Sequence, residues 1–193
     1  MSIAEQAILD RLNADNSAVL YRCRWSKPEA EQVVPQLEEL LDSENHQIAD
    51  EALRGLFRIG TPAASAAARV VSLIQSREPI TRRLAVQTLG SIAHKVPDIC
   101  VEPLASVLSD PLCCQDAMRS LAFIGRNALA AIERVHQQFD DRDAKIRKAA
   151  LLTATAIDPT HPGTIELIDK ATTDRSKVVR DAAAKCANNA KTG

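Results

Sequence analysis

The side chains that could ligate a metal or attack a substrate are few and scattered. The four histidines, His46, His94, His136 and His161, stand at least 25 residues apart, and none is followed by Glu. A metal centre needs His, Cys or carboxylate ligands that converge, and this spacing offers no such set. Cys113 and Cys114 are adjacent, and neighbours on a helix point about 100° apart, so the two cannot face one ion. Cys113 reads as core rather than as a ligand or redox thiol. There is no GxSxG, no Gly-rich phosphate loop, and no Ser, His and Asp grouping that a periodicity would bring together. No catalytic residue, metal ligand or cofactor is assigned.

One segment does concentrate recognition chemistry. Tyr21-Arg22-Cys23-Arg24-Trp25-Ser26-Lys27 holds the only Tyr and the only Trp, interleaved with three bases. Trp, Tyr and Arg are over-represented in interface hot spots, and stacking on nucleic acid would use the same types. A Trp at the end of a helical stack also plugs its first layer, and that structural role is the first reading of Trp25. Tyr21, Arg22, Arg24 and Trp25 are kept as candidate partner contacts.

The elements that position these residues follow from composition and period. The 193 residues are 46% apolar, ample for a core, with only 3% aromatics and six Gly. That excludes a wholly disordered chain and the aromatic, Gly-punctuated strands of a sandwich or barrel. Net charge is −1, so no global field drives the chain onto a phosphate backbone or an anionic membrane. Five cysteines without CxxC spacing, and a start that is neither basic nor apolar, predict a soluble cytoplasmic protein.

A period of about 33 residues is visible. Ile48, Thr81, Cys113, Ile146 and Val179 stand 33, 32, 33 and 33 residues apart. Four positions on come Ala52, Ala85, Ala117, Ala150 and Ala183, and the apolar stripe continues through Leu56, Leu89, Leu121 and Ala154 to Ile59, Ile92, Ile124 and Ile157. This is the pattern of an amphipathic helix, with a small residue where a second helix must approach closely. Asn45, Asp110, Asp143 and Ser176 are N-cap types, with Glu78 at the same place; Gly60 and Gly125 predict left-handed C-terminal turns. A second set of helices carries its own seam: Val34, Leu37, Leu40 and Leu41; Val70, Leu73 and Ile74; Leu104, Val107 and Leu108; Ile132, Val135 and Phe139; Ile165 and Ile168. Neither helix can bury its stripe alone, so the units must stack.

Ile146-Arg147-Lys148-Ala149-Ala150, Val179-Arg180-Asp181-Ala182-Ala183 and Ile59-Gly60-Thr61-Pro62 resemble HEAT repeats, most closely the short kind of bilin-lyase-type proteins. The resemblance runs from near Pro28 to Ala190. It implies an all-α, right-handed α-solenoid of about five helix pairs, with residues 28–193 as one array and 1–27 as an N-terminal helical cap. It also implies an Asp–Arg ladder between neighbours, which Asp141 with Arg147 and Asp174 with Arg180 fit. Ala49 and Cys114 replace the Arg elsewhere, and Ser76 precedes Arg82, so the ladder should be confined to the C-terminal half. The His-Glu pairs of HEAT-like hydroxylases are absent, and a single Trp and near-neutral charge disfavour a HEAT-like DNA glycosylase.

Charge is uneven along this array. Residues 1–45 hold nine acids and four bases, and the remainder sixteen acids and twenty bases. Most of these solvate helix surfaces. The expected function is a non-catalytic scaffold binding an unidentified protein partner on a concave side. Arg69, Glu102, Ser106, Glu133, Arg134 and Gln137 are the candidate contacts there, and the basic end could meet an acidic partner or another copy head to tail. The alternative is a bilin-lyase-type protein cradling a tetrapyrrole, with Cys113, Cys114 or an Arg engaged; nucleic acid and membrane are disfavoured as partners.

Overall fold

The computed structural model describes residues 27–190 and, before them, Gln6. The expected cap over 1–27, with Tyr21, Arg22, Arg24 and Trp25, thus lies essentially outside the described residues. Among the described residues the α-helices are α1 Lys27–Leu40, α2 His46–Ile59, α3 Ala67–Leu73, α4 Pro79–Ile92, α5 Pro97–Ser106, α6 Cys114–Ile124, α7 Ile132–Gln137, α8 Ala144–Ile157, α9 Pro162–Thr172 and α10 Lys177–Ala190. Short 3-10 turns at Thr61–Ala66, Gly125–Ala131 and Gln138–Asp140 lead into α3, into α7 and out of α7. The even-numbered helices carry the 33-residue anchors and the odd-numbered ones are their partners. The fold is that of an all-α helical-repeat solenoid.

The chain divides into two compact units, Met1–Cys100 and Val101–Gly193. In the first, α2 packs on α4, α1 on α2, and α3 on α4; in the second, α8 packs on both α6 and α10, and α9 on α10. Ala52, Ala85, Ala117, Ala150 and Ala183 are all 0% exposed. Within each unit a methyl group at this site lets the backbones of α2 and α4, and of α6, α8 and α10, come together, whereas a larger side chain would overpack the seam. Closeness also permits a buried hydroxyl bond across it. Thr88 Oγ1 shares its proton between the Leu84 carbonyl of its own helix at 2.8 Å and the Leu53 carbonyl across the seam at 3.1 Å, and Thr153 Oγ1 donates to the Met118 carbonyl at 3.2 Å.

Helix ends are fixed by short-range polar contacts. Asn45 and Asp143 accept from the backbone N–H groups of Gln47 and Lys145 at 3.0 and 2.8 Å, the N-caps expected of them. The residue two places earlier holds the cap itself: Ser43, Ser76, Asp141 and Asp174 accept from the N–H of Asn45, Glu78, Asp143 and Ser176. Glu78 makes no side-chain cap bond of its own.

Three details differ from expectation. Ile165 is 55% exposed, because the seam of α9 runs through Thr164, Leu167, Ile168 and Ala171, spaced three and four apart, and Ile165 falls off that stripe. Ile48 and Ile59, at the two ends of the first stripe, are half-buried rather than buried. Gly60 and Gly125 do have positive φ, 67° and 65°, but ψ is −135° at both. This is the extended positive-φ region open essentially to glycine alone, not the left-handed helical turn. It swings the chain straight into the following 3-10 turn.

Several features recur every second repeat. Gly60 and Gly125, the kinked Ala63 and Ala128, the acid–Arg pairs Glu51–Arg54 and Asp116–Arg119, and the buried Thr88 and Thr153 all stand 65 residues apart. Where Gly is absent, α4 runs on through Ala93 in helical conformation and α8 stops at an extended Asp158. Gly125→Ala, forced into a conformation that alanine avoids, is expected to lower stability by about 1–3 kcal/mol in urea unfolding. An unchanged midpoint would show that the turn is not held by its neighbours.

Candidate functional site

The second unit carries the densest polar construction. Arg147, at the start of α8, is 5% exposed and its guanidinium grips the Asp174 carboxylate with two bonds, Nε to Oδ2 and NH2 to Oδ1, each 2.8 Å. Its remaining nitrogen donates to the carbonyls of Asp141 and Arg142, both at 3.0 Å. Asp174 also accepts the Ser176 N–H at 2.7 Å. The buried charge is therefore paired and almost fully hydrogen-bonded, the condition under which such a pair is tolerated. Hydrogen bonds from Arg147 hold the Asp174 carboxyl down at about 2.

This is one rung of the expected ladder, between neighbouring repeats. Arg82 and Arg180 make the same bond to the carbonyl six residues earlier that Arg147 makes to Asp141, donating to Ser76 and Asp174. Cys114 occupies the place where an Arg would reach Asp141, as its sequence position implied, and its Sγ lies 3.7 Å from Gln138 Oε1. Around the rung opens a shallow cavity of about 490 Å³, lined by Asp141, Arg142, Arg147, Lys170, Asp174 and Arg175 among others. Its charges are largely internally matched, since Lys170 pairs with Asp140 at 2.8 Å and lies 5.5 Å over the Phe139 ring.

The polar residues selected on the odd helices are exposed, as required of a binding face. They are not free charges. Arg134 pairs with Glu102 at 2.7 Å, joining α7 to α5. In the first unit Arg69, on α3, binds the Asp42 carboxylate at 2.8 Å and the Glu38 carbonyl at 2.9 Å. The structure thus brings Glu102 and Arg134 together. Gln137 and Ser106 are exposed on α7 and α5.

Sequence spacing treats the histidines as isolated, yet the fold brings two together. His136 at the end of α7 and His161 at the N-cap of α9 have ring centroids 5.5 Å apart, tilted by 48°. Glu133 lies 3.9 Å from a ring nitrogen of each. Burial pushes His136 below its ordinary value, with His161 adding to the effect and Glu133 opposing it. The available signal was the Glu133-x-x-His136 spacing on one helix face. The 25-residue separation of His136 and His161 is not a repeat period, so stacking arithmetic overlooks the second histidine.

The thiols are sequestered. Cys100, Cys113, Cys114 and Cys186 are buried thiols outside any disulfide, and burial pushes Cys100 up to about 11; the same desolvation, aided by Asp141 and Asp110, raises Cys114 to about 11. Cys100 and Cys114 therefore stay protonated near neutral pH.

No family model matches the chain, and no curated protein does. Solved structures do. The chain is similar to an engineered protein solved by a structural genomics consortium, at TM-score 0.71 and 19% identity over 100% of this chain and 98% of that one. It is also similar to computationally designed armadillo repeat proteins for modular peptide recognition, at TM-score 0.66 and 16% identity over 96% of this chain and 98% of that one. A second engineered protein matches at TM-score 0.60 and 17% identity, over 98% of this chain and 68% of its own. These likenesses place the chain among helical-repeat folds; the HEAT subtype rests on the sequence resemblance.

Asp174→Ala is expected to cost about 3 kcal/mol at pH 7, since it strands a buried guanidinium. Because the folded carboxyl titrates near 2 rather than its ordinary 3.8, its stabilising contribution is complete above 3.8 and lost as pH falls toward 2. Urea unfolding at stepped pH should show wild type and variant converging in that window. In a Cys23→Ser background, Ellman's reagent should leave the four buried thiols unreacted until urea is added. Rapid native labelling of Cys114 would contradict its burial.

Proposed function

We propose that the chain is a non-catalytic scaffold that binds an extended segment of a protein partner along its stacked helices. The observation that carries this reading is a set of large apolar side chains left in solvent on the even helices and their entries. Phe57 is 46% and Ile80 62% exposed in the first unit; Phe123 is 65% and Val178 52% exposed in the second. Ile80, Leu112 and Val178 share one repeat position, immediately before the anchor. Recurrent exposed apolar groups amid polar surface mark a surface for a partner rather than a catalytic centre.

The odd-helix residues Arg69, Glu102, Glu133, Arg134 and Gln137 form a rim in this reading. The ion pairs at Arg69 and Arg134 are exposed and contribute little binding energy individually. Specificity would come from their order, and affinity from the apolar anchors. Pairing of these bases also weighs against a phosphate backbone as partner. No described helix is long and apolar enough to cross a membrane. Burial of Cys113 and Cys114, with the Cys114 thiol pushed up to about 11, weighs against a cysteine-based tetrapyrrole transfer.

Affinity capture with the purified chain, compared with a Phe123→Glu/Val178→Glu double variant, tests the assignment. The expected result is a retained protein that the double variant loses, by about 30-fold or more in affinity if either side chain is a hot spot. Retention should survive moderate salt, whereas nucleic-acid binding would fall steeply with it. A partner captured equally by both proteins would sink the apolar-anchor reading.

A further inference from the structure

We propose that Glu133, His136 and His161 form a binding site for a single divalent transition-metal ion, which would clamp α7 to α9. One ligand atom from each residue lies within 4.8 Å of the others. Around a tetrahedral zinc ion with ligand bonds of about 2.0–2.2 Å, ligand atoms sit about 3.4 Å apart. Glu133 Oε2 lies 3.9 Å from His136 Nδ1 and its Oε1 lies 3.9 Å from His161 Nε2, and since one ligand atom from each residue lies within 4.8 Å of the others, closure on a single ion needs inward movements of about 1.4 Å at most. Glu133, 73% exposed at its side chain, is free to make that movement, while the imidazoles are far less exposed, at 13% and 27%. Two imidazoles with one carboxylate suit zinc, cobalt, nickel or copper rather than magnesium or calcium. Water would complete the coordination on the open side.

Two features of the surroundings favour a ligand role for His136. Its Nε2 lies 3.1 Å from the hydroxyl of Thr164, a residue 0% exposed. With the proton on Nε2 donated to that hydroxyl, the Nδ1 lone pair is directed to the side where Glu133 lies, the outer-shell arrangement that orients metal-bound histidines. Gly163 supplies the second feature. A Cβ there would come within 2.7 Å of His136 Cε1 and 2.8 Å of Nδ1, so the absence of a side chain at the first turn of α9 is what lets the ring occupy this position. Glu166, on the same helix, contributes further negative charge toward His136.

His161 has a competing task. Its Nδ1 accepts the Gly163 N–H at 3.2 Å and so caps α9, which places the ring proton on Nε2, the nitrogen facing Glu133. Metal on Nε2 requires that proton to move to Nδ1, and the capping bond is then given up. His161→Asn separates the two roles, because Asn is a good N-cap and cannot replace the Nε2 ligand.

The test is titration of the metal-free full chain, in a Cys23→Ser background, with Zn²⁺ by calorimetry and with Co²⁺ by visible absorption. The expected result is one equivalent bound, a rise in Tm with Zn²⁺ but not with Mg²⁺, and a cobalt spectrum of low coordination number. His161→Asn, His136→Gln and Glu133→Gln should each weaken binding by at least about tenfold, with the metal-free Tm of His161→Asn close to wild type. Absence of any heat or Tm shift at millimolar Zn²⁺ would overturn the proposal. So would zinc binding that His161→Asn and Glu133→Gln leave unchanged.

Discussion

Close approach of the even helices is the constraint from which the rest follows. Within each unit it is set by one methyl group per repeat, at Ala52 and Ala85 in the first and at Ala117, Ala150 and Ala183 in the second, each without solvent exposure. With so thin a seam, the apolar stripe on either side needs only Leu, Ile and Val to fill it, and aromatic residues are left for other places. Phe57 and Phe123 are exposed in consequence. The same closeness puts a threonine hydroxyl within reach of a neighbouring backbone carbonyl, so polar atoms enter the seam without being stranded.

Asp174 shows how much a single side chain does when helices are this near. Its carboxylate holds the turn before α10 through Ser176 and simultaneously takes both arms of the Arg147 guanidinium. One residue thus shapes a loop within a repeat and joins that repeat to its neighbour. Asp141, which has Cys114 rather than an Arg opposite, performs only the first of these tasks, its carboxylate accepting the Asp143 N–H. The contrast between the two aspartates isolates what the buried pair adds.

The fold was largely legible because its determinants are local and periodic. Small residues fall at a fixed offset from Ile48, Thr81, Cys113, Ile146 and Val179 five times over, with N-cap types at four of the five starts and glycine stops at two. A ladder through Asp141, Arg147, Asp174 and Arg180 was implied by the family resemblance, but the named pairs meet through backbone carbonyls and it is Arg147 that takes the Asp174 carboxylate. What escaped were contacts that break the period. His136 and His161 meet because a helix end lies beside a helix start, and no repeat offset encodes that meeting. Ile165 misled because two apolar residues three apart define a stripe only when their neighbours are weighed: Thr164, polar yet buried against His136, belongs to the seam and Ile165 does not. The ion pairs of Arg69 and Arg134 were equally hidden, since exposure and charge were predictable but the partner's place was not.

The recurrence every 65 residues has a consequence for how this architecture can be lengthened or shortened. A repeat protein is usually treated as a string of interchangeable beads. Here the beads come in two kinds, one ending in a positive-φ glycine with a 3-10 entry to the next helix, the other ending without glycine and presenting a threonine to the preceding carbonyl. Removing a single 33-residue bead would set two of the same kind side by side, each lacking the complement its end was shaped for. The interchangeable block is the four-helix doublet, and any graft, deletion or extension that respects the chain's own grammar must count in pairs.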